Sequence, residues 1–176
     1  MIEELSSLKG KLLVASSALL DGYFNQSVIL IIEHDSRGTL GITLNNPLPG
    51  DRGRKHPLFK GGPVDTDHRS LLHCAAHLTS NAAVVDNVFF ENSDDLLDTL
   101  AEKDEPYRRF AGYAGWGTGQ LEYELHTKSW ILAEARADLI FYHVEVDLWR
   151  QCLAEKGGLF RYFARTHRNI LLNGTL

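Results

Sequence analysis

The stretch GYAGWGTGQLEYEL, residues 112–125, places four glycines around two aromatic side chains and then enters a helical pattern. Glycine allows a positive φ angle and lets another group approach the backbone closely. We therefore predict that a strand at 107–113 enters a glycine-rich turn and that a helix follows at 117–127. Leu121 and Leu125 would lie on one face of that helix. The remaining elements are expected to be organised around this unit.

The clearest strand lies earlier, in SVILIIEH at residues 27–34. An unbroken run of aliphatic side chains is expected when both faces of a strand are covered. The turn at 35–38 and the returning segment at 39–44 complete a hairpin. We predict that this hairpin, about residues 27–44, forms the centre of the sheet.

The other segments indicate further strands and helices without a regular β-α-β alternation. We predict strands at 11–16, 68–75, 84–90 and 129–134, and helices at 93–103, 136–142, 146–156 and 159–172. Residues 48–60, rich in proline, glycine and basic side chains, are expected to form an exposed connection. The pattern predicts an α+β fold, with one domain over residues 1–176 and a mixed sheet flanked by helices.

Composition narrows the class of protein. The chain has 176 residues, a hydrophobic fraction of 44% and a charged fraction of 23%, which are ordinary values for a folded globular domain. No apolar run reaches the roughly 20 residues needed to span a bilayer, and no signal-peptide pattern opens the chain. Cys74 and Cys152 form no CxxC motif and are expected to be reduced thiols. We therefore expect a cytoplasmic protein without membrane contact.

The charge is unevenly distributed, and this bears on nucleic-acid binding. The whole chain carries a net charge of −5, but residues 150–176 contain five basic residues and one acidic residue. An acidic body argues against a broad nucleic-acid surface. The basic residues Arg161, Arg165 and Arg168 leave weak nucleic-acid binding open as an alternative. A solvated helix face or a subunit contact is the interpretation that we favour.

Several motifs of the chain occur in an order known from one bacterial family. The most specific are GGPV at 61–64 and YAGWGTGQLEYEL at 113–125; the others are the segments 12–16, 20–21, 27–35, 38–41, 44–48 and 157–158, with Phe24, Gly112, Trp130, Leu148 and Trp149. On these residues the chain resembles the AlgH/YqgE family. The resemblance implies a compact cytosolic domain of mixed α and β structure. It brings the label of transcriptional regulator but no set of catalytic residues.

The chain departs from the family pattern in two places. The segment between Pro47 and Gly61 is short where family members usually have room for a helix, and Asn46 stands where a basic residue is common. Residues 164–169 replace a tail that is usually acidic and contains proline. A pocket walled by the missing segment would be more open in this chain.

Candidate ligand-binding residues lie in loops and at strand ends, where sites are usually found. Asparagine and glycine are turn formers first, so these residues form a site only if the loops meet around a common cleft. The candidates are His34, Asn45, Asn46, Gly61, Gly62, Pro63, Gly115, Trp116 and Gln120.

Two of these candidates have competing interpretations. An acid beside His34 would suit acid/base chemistry or metal binding, but neighbouring strand residues point to opposite faces. We favour a His34 that holds a loop by hydrogen bonds. The N–H groups of the glycine-rich turn would suit an anion. We favour the alternative, in which the glycines make room for Trp116 and Trp130 to pack.

Metal, cofactor and nucleophile sites are not indicated. His73 and His77 would share a helix face, but the glutamate of a metalloprotease motif and a third ligand are missing. No serine lies in a GxSxG motif. Cys74 is interpreted as a small buried residue rather than a redox-sensing thiol. We therefore predict no cofactor and no metal, and we assign no catalytic residue.

Three functions remain as hypotheses. The leading one is a non-enzymatic regulatory protein that binds a small ligand or a protein partner through these loops. The second is a hydrolase with a loop-lined cleft around His34, acting with an acid or with Gln120. The third is weak nucleic-acid binding by the basic C-terminal residues. The oligomeric state is left open.

Overall fold

The computed structural model describes residues 6–16, 19, 22–143 and 146–166, except for the side chain of Thr166. Within that part of the chain, eight strands form one sheet, accompanied by five α-helices and two short 3-10 helices. The strands are β1 Lys11–Ala15, β2 Val28–Asp35, β3 Gly38–Thr43, β4 Leu58–Lys60, β5 Val64–His73, β6 Phe89–Glu91, β7 Tyr107–Gly117 and β8 Trp130–Glu134. The helices are α1 Leu97–Glu102, α2 Gln120–His126, α3 Ala137–Ile140, α4 Leu148–Lys156 and α5 Gly158–Thr166, and the 3-10 helices are Pro49–Asp51 and Ala76–Leu78.

The sheet is mixed, as predicted, because one of its strand pairs is parallel. Its strand order is β6-β5-β7-β3-β2-β1-β8, and neighbours along that path are antiparallel. β4 lies off the path and pairs in parallel with β7. The hairpin predicted at 27–44 is confirmed as β2 and β3, which lie in the middle of the sheet. The α+β class is confirmed with it.

The side chains of β2 are buried on both faces of the sheet, which suits a strand in the middle of it. The run VILII at 28–32 is at most 3% exposed. The neighbouring strand β1 is covered by α4, whose buried residues include Leu148 and Trp149. The indole N–H of Trp149 donates to the carbonyl oxygen of Ala15 at 2.8 Å, which ties α4 to β1. Each large apolar side chain contributes about 1.5–3 kcal/mol when buried, so the run at 28–32 is a main source of stability.

The glycine-rich stretch is strand rather than turn over most of its length. β7 continues to Gly117, beyond the turn predicted after Tyr113, and α2 begins at Gln120. Gly112 has a φ of +71°, and a Cβ atom there would lie 2.6 Å from the carbonyl oxygen of Gly62. The glycine lets β7 pass close against the turn between β4 and β5. The strand then continues and pairs with β3.

Two predictions about the strands were wrong. Residues 48–60, predicted as an exposed connection, contain β4, and its Phe59 is fully buried. Three residues are a short strand, so the pairing with β7 rather than local propensity decides their conformation. The strand predicted at 84–90 is reduced to β6, because Val85 and Val88 form an isolated bridge just before it.

The helices are short, and the first and last differ most from the predictions. α1 begins at Leu97 rather than Ser93, whose hydroxyl bonds instead to Asp95 in the preceding turn. The helix predicted at 159–172 corresponds to α5 as far as Thr166, and the remainder lies outside the described residues. In the part of the chain that the structure describes, no helix is long and apolar enough to cross a bilayer.

Candidate functional site

A cleft of about 1360 Å³ lies at one end of the sheet. β2, β4 and β7 begin at this end, and β3 finishes there, as the antiparallel and parallel pairings require. Its walls come from five separate parts of the chain. They are residues 22, 23 and 25–27, residues 45–47, residues 52–57 with Phe59, residues 106–109, and residues 141–143 with 146–148.

The cleft exists because β7 is longer than the strands beside it. On one side β5 accompanies β7 as far as Tyr107. On the other side β3 pairs with residues 114–117 and β4 with residues 109–111. Tyr107 and Arg108 therefore have a strand neighbour on one side alone among the described residues. Both residues line the cleft.

Arg108 lies half-buried in this cleft between two aromatic rings. Its guanidinium carbon is 5.0 Å from the ring centre of Phe59 and 4.5 Å from that of Tyr142. One of its N–H groups donates to the carbonyl oxygen of Tyr142. Burial lowers the pKa of Arg108, although a guanidinium remains charged at neutral pH. Each ring contact contributes about 0.5–2 kcal/mol. No ion pair joins Arg108 to a carboxylate in the described residues.

Tyr142 cannot neutralise that charge. Its hydroxyl donates to the carbonyl oxygen of Leu44 at 3.1 Å. Burial raises the pKa of Tyr142 to about 12, and the nearby Arg108 opposes this only in part. The phenol is therefore protonated at neutral pH, and Arg108 keeps a full positive charge against its ring.

The described lining of the cleft carries much more positive than negative charge. Asp147 is its one carboxylate. That carboxylate is engaged at the start of α4, where it accepts the backbone N–H of Arg150 at 3.1 Å and pairs with the side chain of Arg150 at 3.0 Å. The basic residues of the lining are Arg52, Arg54, Lys55, His56, Arg108, Arg109 and His143. In a chain of net charge −5, the cleft is thus a local positive region.

Acidic residues just outside the lining pair with three of these cations. Asp51 lies 3.4 Å from Arg54 and 3.7 Å from Arg109. Asp104 lies 3.5 Å from Lys55. The pair of Lys55 with Asp104 is exposed and contributes less than about 1 kcal/mol. Asp51 is 16% exposed and also accepts the N–H of Leu58 at 2.9 Å, so it helps to hold the rim in place.

His56 is positioned on the rim by an aromatic contact. Its ring is stacked on that of Tyr107, with centres 4.5 Å apart and planes 16° from parallel. Burial lowers the pKa of His56, and the positive charge of Lys55 lowers it further. The imidazole is therefore mainly neutral at pH 7, so its ring adds an apolar face more than a charge.

Two of the sequence-predicted site residues lie on the cleft wall. Asn45 uses its whole amide in the fold: its Oδ1 accepts the N–H of Val28 at 2.8 Å, and its Nδ2 donates to the carbonyl oxygen of Gln26 at 2.8 Å. Asn46 also lines the cleft, and its carbonyl oxygen accepts the N–H of Lys60 at 2.8 Å. The side-chain amide of Asn46 is therefore available to a ligand in the cleft, whereas the amide of Asn45 holds the cleft wall together.

Gly61, Gly62 and Pro63 lie in the turn between β4 and β5, outside the cleft lining. The N–H of Gly61 donates to the carbonyl oxygen of Ala111 at 2.8 Å, and its own carbonyl accepts the N–H of Thr43 at 2.8 Å. The turn is therefore joined to the neighbouring strands by its backbone. Its role in the described structure is packing.

The other four candidates lie at the opposite end of the sheet. His34 ends β2, Gly115 and Trp116 end β7, and Gln120 begins α2. His34 pairs with Thr39, and six further residues of extended chain lead to Asn45, which is roughly 20 Å at 3.3 Å per residue. The expectation of one common cleft around these nine residues was wrong. An antiparallel strand pair carries its two connections to opposite ends of the sheet.

His34 holds two distant parts of the chain together, which is the interpretation favoured from the sequence. Its Nδ1 accepts the backbone N–H of Leu8 at 3.0 Å, so its Nε2 carries the proton. Nε2 then donates to the carboxylate of Glu122 at 2.8 Å. The side chain is 5% exposed. Since both ring nitrogens are engaged and His34 does not line the cleft, the expected cleft around His34 was wrong.

The indole groups near His34 share one acceptor. Trp116 and Trp130 pack edge to face, with ring centres 6.1 Å apart. Both indole N–H groups donate to Oε2 of Glu124, at 2.9 and 2.8 Å. Gln120 donates to Oε1 of Glu124 at 3.1 Å and accepts the N–H of Gly117 at 3.0 Å. The N–H that an anion would need at Gly117 is therefore already bonded.

The hydrogen bond between His34 and Glu122 makes stability depend on pH. It is the largest cause of a lowered pKa for Glu122. A lowered folded-state pKa adds stability above the unfolded pKa, and this is lost as the pH falls through the folded value, below about 4.3. The carboxylate is 32% exposed, so we expect a contribution of at most about 1 kcal/mol. Urea unfolding of Glu122→Gln from neutral to acidic pH should show a flatter acid limb than the wild type.

A double-mutant cycle provides the control for this pair. His34→Phe removes the donor, and adding Glu122→Gln to that variant should then change the pH dependence no further. If Glu122→Gln flattens the acid limb equally in both backgrounds, the effect does not come from His34.

The remaining sequence candidates are not brought together into a second site. His73 ends β5 and His77 lies in a 3-10 helix, so they do not share a helix face. No group of three or more metal-ligating side chains occurs within the described ranges. Arg161 and Arg165 are exposed on α5, and Arg168 lies outside the described residues.

Sequence reasoning missed the cationic side of the cleft. The cluster RGRKH at 52–56 was assigned to an exposed connection, and Arg108-Arg109 to the start of a strand. A signal was present, since both are dense basic clusters in an acidic chain. Their meeting in space was not predictable, because it depends on the parallel pairing of β4 with β7.

Known proteins resemble the chain over nearly its whole length. The sequence model of the family described as DUF179, AlgH-like, matches residues 12–161. A UPF0301 protein of Chlorobium limicola is 34% identical over 180 residues, covering 94% of this chain and 96% of that protein. A UPF0301 protein of Aliivibrio salmonicida is 34% identical over 168 residues, covering 83% of this chain and 90% of that protein.

Two solved structures share the fold. The crystal structure of DIP2367 from Corynebacterium diphtheriae superposes with a TM-score of 0.75 at 24% identity, covering 88% of this chain and 90% of that one. The solution structure of the AlgH protein from Pseudomonas aeruginosa gives a TM-score of 0.64 at 25% identity, covering 100% of this chain and 98% of that one. With the family match and the relatives above, these likenesses show that the chain belongs to the AlgH-like family of UPF0301 proteins.

Proposed function

We propose that the chain is a non-enzymatic, cytoplasmic regulatory protein that binds a small ligand in the cleft at the start of β7. The observation that carries the proposal is the cleft itself, at about 1360 Å³. This volume exceeds the roughly 300–1,000 Å³ of ordinary small-molecule pockets, so it accommodates a ligand of metabolite size together with water. Asn45 and Asn46 belong to this site, and the other seven candidates do not.

The carboxylate and the buried phenol of the lining are engaged in the fold, which supports binding over catalysis by these two groups. A hydrolase needs a nucleophile or activated water and a base to receive its proton. The one carboxylate of the described lining, Asp147, is committed to Arg150 and the start of α4. The phenol of Tyr142, with its pKa raised to about 12, donates to a backbone carbonyl. Neither group is placed to exchange a proton with a ligand at neutral pH.

The shape of the site supports a ligand that orders several segments at once. Five separate parts of the chain meet at the cleft, and the rim at 52–57 contributes exposed basic side chains from a connection without regular structure. A ligand that contacts both this rim and β7 would restrain their relative position. Such a change at the surface would make the binding of a partner depend on the ligand, as regulation requires.

Ligand screening by thermal shift tests the proposal. A ligand at about 100 times its Kd stabilises the folded state by about 2.7 kcal/mol, which raises the Tm of a chain of this size by roughly 5–10 °C. Asn46→Trp should place an indole in the cleft and reduce the shift to near zero. His126→Trp, at an exposed position at the end of α2, is the matched control and should respond like the wild type.

Two results would contradict the proposal. One is a metabolite panel that raises the Tm of neither the wild type nor the control variant. The other is a stabilising compound that acts equally on Asn46→Trp, because its binding site would then lie elsewhere.

A further inference from the structure

Arg108 carries a positive charge that no carboxylate of the described residues balances. Its guanidinium contacts the rings of Phe59 and Tyr142, and one N–H donates to a backbone carbonyl. A guanidinium has five N–H donors in a planar fork. Moving a guanidinium out of water is unfavourable when no carboxylate pairs with it. Contacts with two rings and one neutral acceptor replace only part of the lost hydration free energy. The isolated protein therefore gains little from an arginine at this position.

The unused donors of Arg108 open into the cleft. A buried side-chain nitrogen without a hydrogen-bond partner in the described residues is found on Arg109 but not on Arg108. The remaining N–H groups of Arg108 are thus reached by solvent, and the residue lines the cleft. The contacts with Phe59 and Tyr142 hold the guanidinium in the cleft while these N–H groups stay available. A guanidinium with free N–H groups binds a carboxylate or a phosphate through two parallel hydrogen bonds.

We infer that the ligand of this cleft is an organic anion, with a carboxylate or phosphate group that binds to the fork of Arg108 and an aromatic body that lies among the rings of the lining. The inference rests on the proposed ligand-binding function of the same cleft. The aromatic lining residues are Tyr23, Phe59, Tyr107, Phe141 and Tyr142. Tyr23 is 42% exposed and offers its ring to a ligand.

The other residues of the lining also favour a negatively charged ligand. The positive rim attracts an anion from solution, and the engaged Asp147 is the one carboxylate of the described lining that would oppose it. Arg52 lies on the rim, is exposed, and belongs to no ion pair described for this part of the chain. We expect Arg52 to attract the anion toward the cleft and Arg108 to bind it.

Titration with small probes tests the inference. Benzoate and phenyl phosphate are the anionic probes, and benzamide is a neutral probe of the same shape as benzoate. The wild type should bind at least one anionic probe, and benzamide should bind at least about 10-fold more weakly than that probe. The tighter of the two anionic probes shows whether the natural ligand carries a carboxylate or a phosphate.

Arg108→Met removes the charge and retains an apolar chain between the two rings. It should weaken binding of the anionic probe by roughly 10- to 100-fold and leave benzamide unchanged. Arg108→Lys keeps the positive charge but lacks the planar fork of donors. Its affinity for the anionic probe should lie between those of the wild type and Arg108→Met. Arg161→Met, at an exposed arginine on α5 outside the cleft lining, is the matched control and should change the affinity by less than about 3-fold.

A stability measurement without ligand separates a binding role from a structural one. Because Arg108 lacks a carboxylate partner, Arg108→Met should have a Tm equal to or above that of the wild type. A large fall in the Tm of Arg108→Met and Arg108→Lys, with unchanged affinity of the lysine variant, would make Arg108 a structural residue and overturn the inference.

The outcomes also separate this inference from the proposed function. A benzamide affinity equal to that of the anionic probe, or full affinity of Arg108→Met for the anions, overturns the inference. A neutral metabolite whose binding is blocked by Asn46→Trp would overturn it as well, while leaving the ligand-binding function in place. If no compound of any charge binds, both fail together.

Discussion

Gly62→Ala is expected to destabilise the protein by at least about 4 kcal/mol, or to prevent folding. A Cβ atom at this position would lie closer than 3.0 Å to backbone atoms of Tyr113 and Ala114. Backbone of a paired strand cannot move aside as a flexible side chain does, so the turn between β4 and β5 would have to leave β7. The pairing of β4 with β7, and with it the buried ring of Phe59, depends on this contact.

Urea unfolding followed by circular dichroism measures this effect. Gly50→Ala is the matched control, because a Cβ there meets nothing within 4 Å and Gly50 has no positive φ angle. The control should stay within about 0.5 kcal/mol of the wild type. If Gly62→Ala is as stable as Gly50→Ala, the close approach of the turn to β7 does not exist in solution.

Glu124→Leu is expected to cost about 3–5 kcal/mol, the second largest effect. Its carboxylate accepts the indole N–H groups of both Trp116 and Trp130, which are 6% and 3% exposed. Leucine has a similar volume but no acceptor. Leaving a buried donor without a partner costs about 1–3 kcal/mol, and here two are left at once. The loss of the bond from Gln120 adds less, because that side chain is exposed.

Tryptophan fluorescence during urea unfolding measures this loss directly, since both indoles report on their own surroundings. Glu124→Gln keeps one acceptor oxygen and should lose less than half as much stability as Glu124→Leu. Glu102→Leu, at an exposed carboxylate at the end of α1, is the matched control and should change stability by less than about 0.5 kcal/mol. Equal stability of Glu124→Leu and Glu102→Leu would mean that the indoles find other acceptors.

These two predictions concern the glycine-rich stretch and the turn that packs on it, and they show how far local reasoning reaches. The sequence correctly indicated that glycines in this region make room for something. It did not indicate that the strand continues through them, because Gly112 is opposed by Gly62, fifty residues earlier in the chain. A positive φ angle is compatible with a turn or with a bulge in a strand, and only the partner backbone distinguishes them.

The candidate site was predicted in part, and for a similar reason. Asn45 and Asn46 follow the central hairpin directly, so their place at a sheet end could be predicted from that hairpin. His34 was assigned to the same site because it also ends a strand, but it ends the strand that runs the other way. Arg108 was not selected at all. Its role depends on Tyr142, which is 34 residues away and lies in the connection after α3.

The sequence by itself determined the hairpin, the α+β class and the family, because continuous apolar runs and turn residues act on neighbours in the chain. Tertiary structure alone decided which strand ends share a cleft, that a basic connection forms its rim, and that Arg108 lies between two rings. The physical reason is that a cleft is defined by the relative positions of distant segments. Those positions follow from strand pairings such as that of β4 with β7, which short segments adopt only in the folded protein.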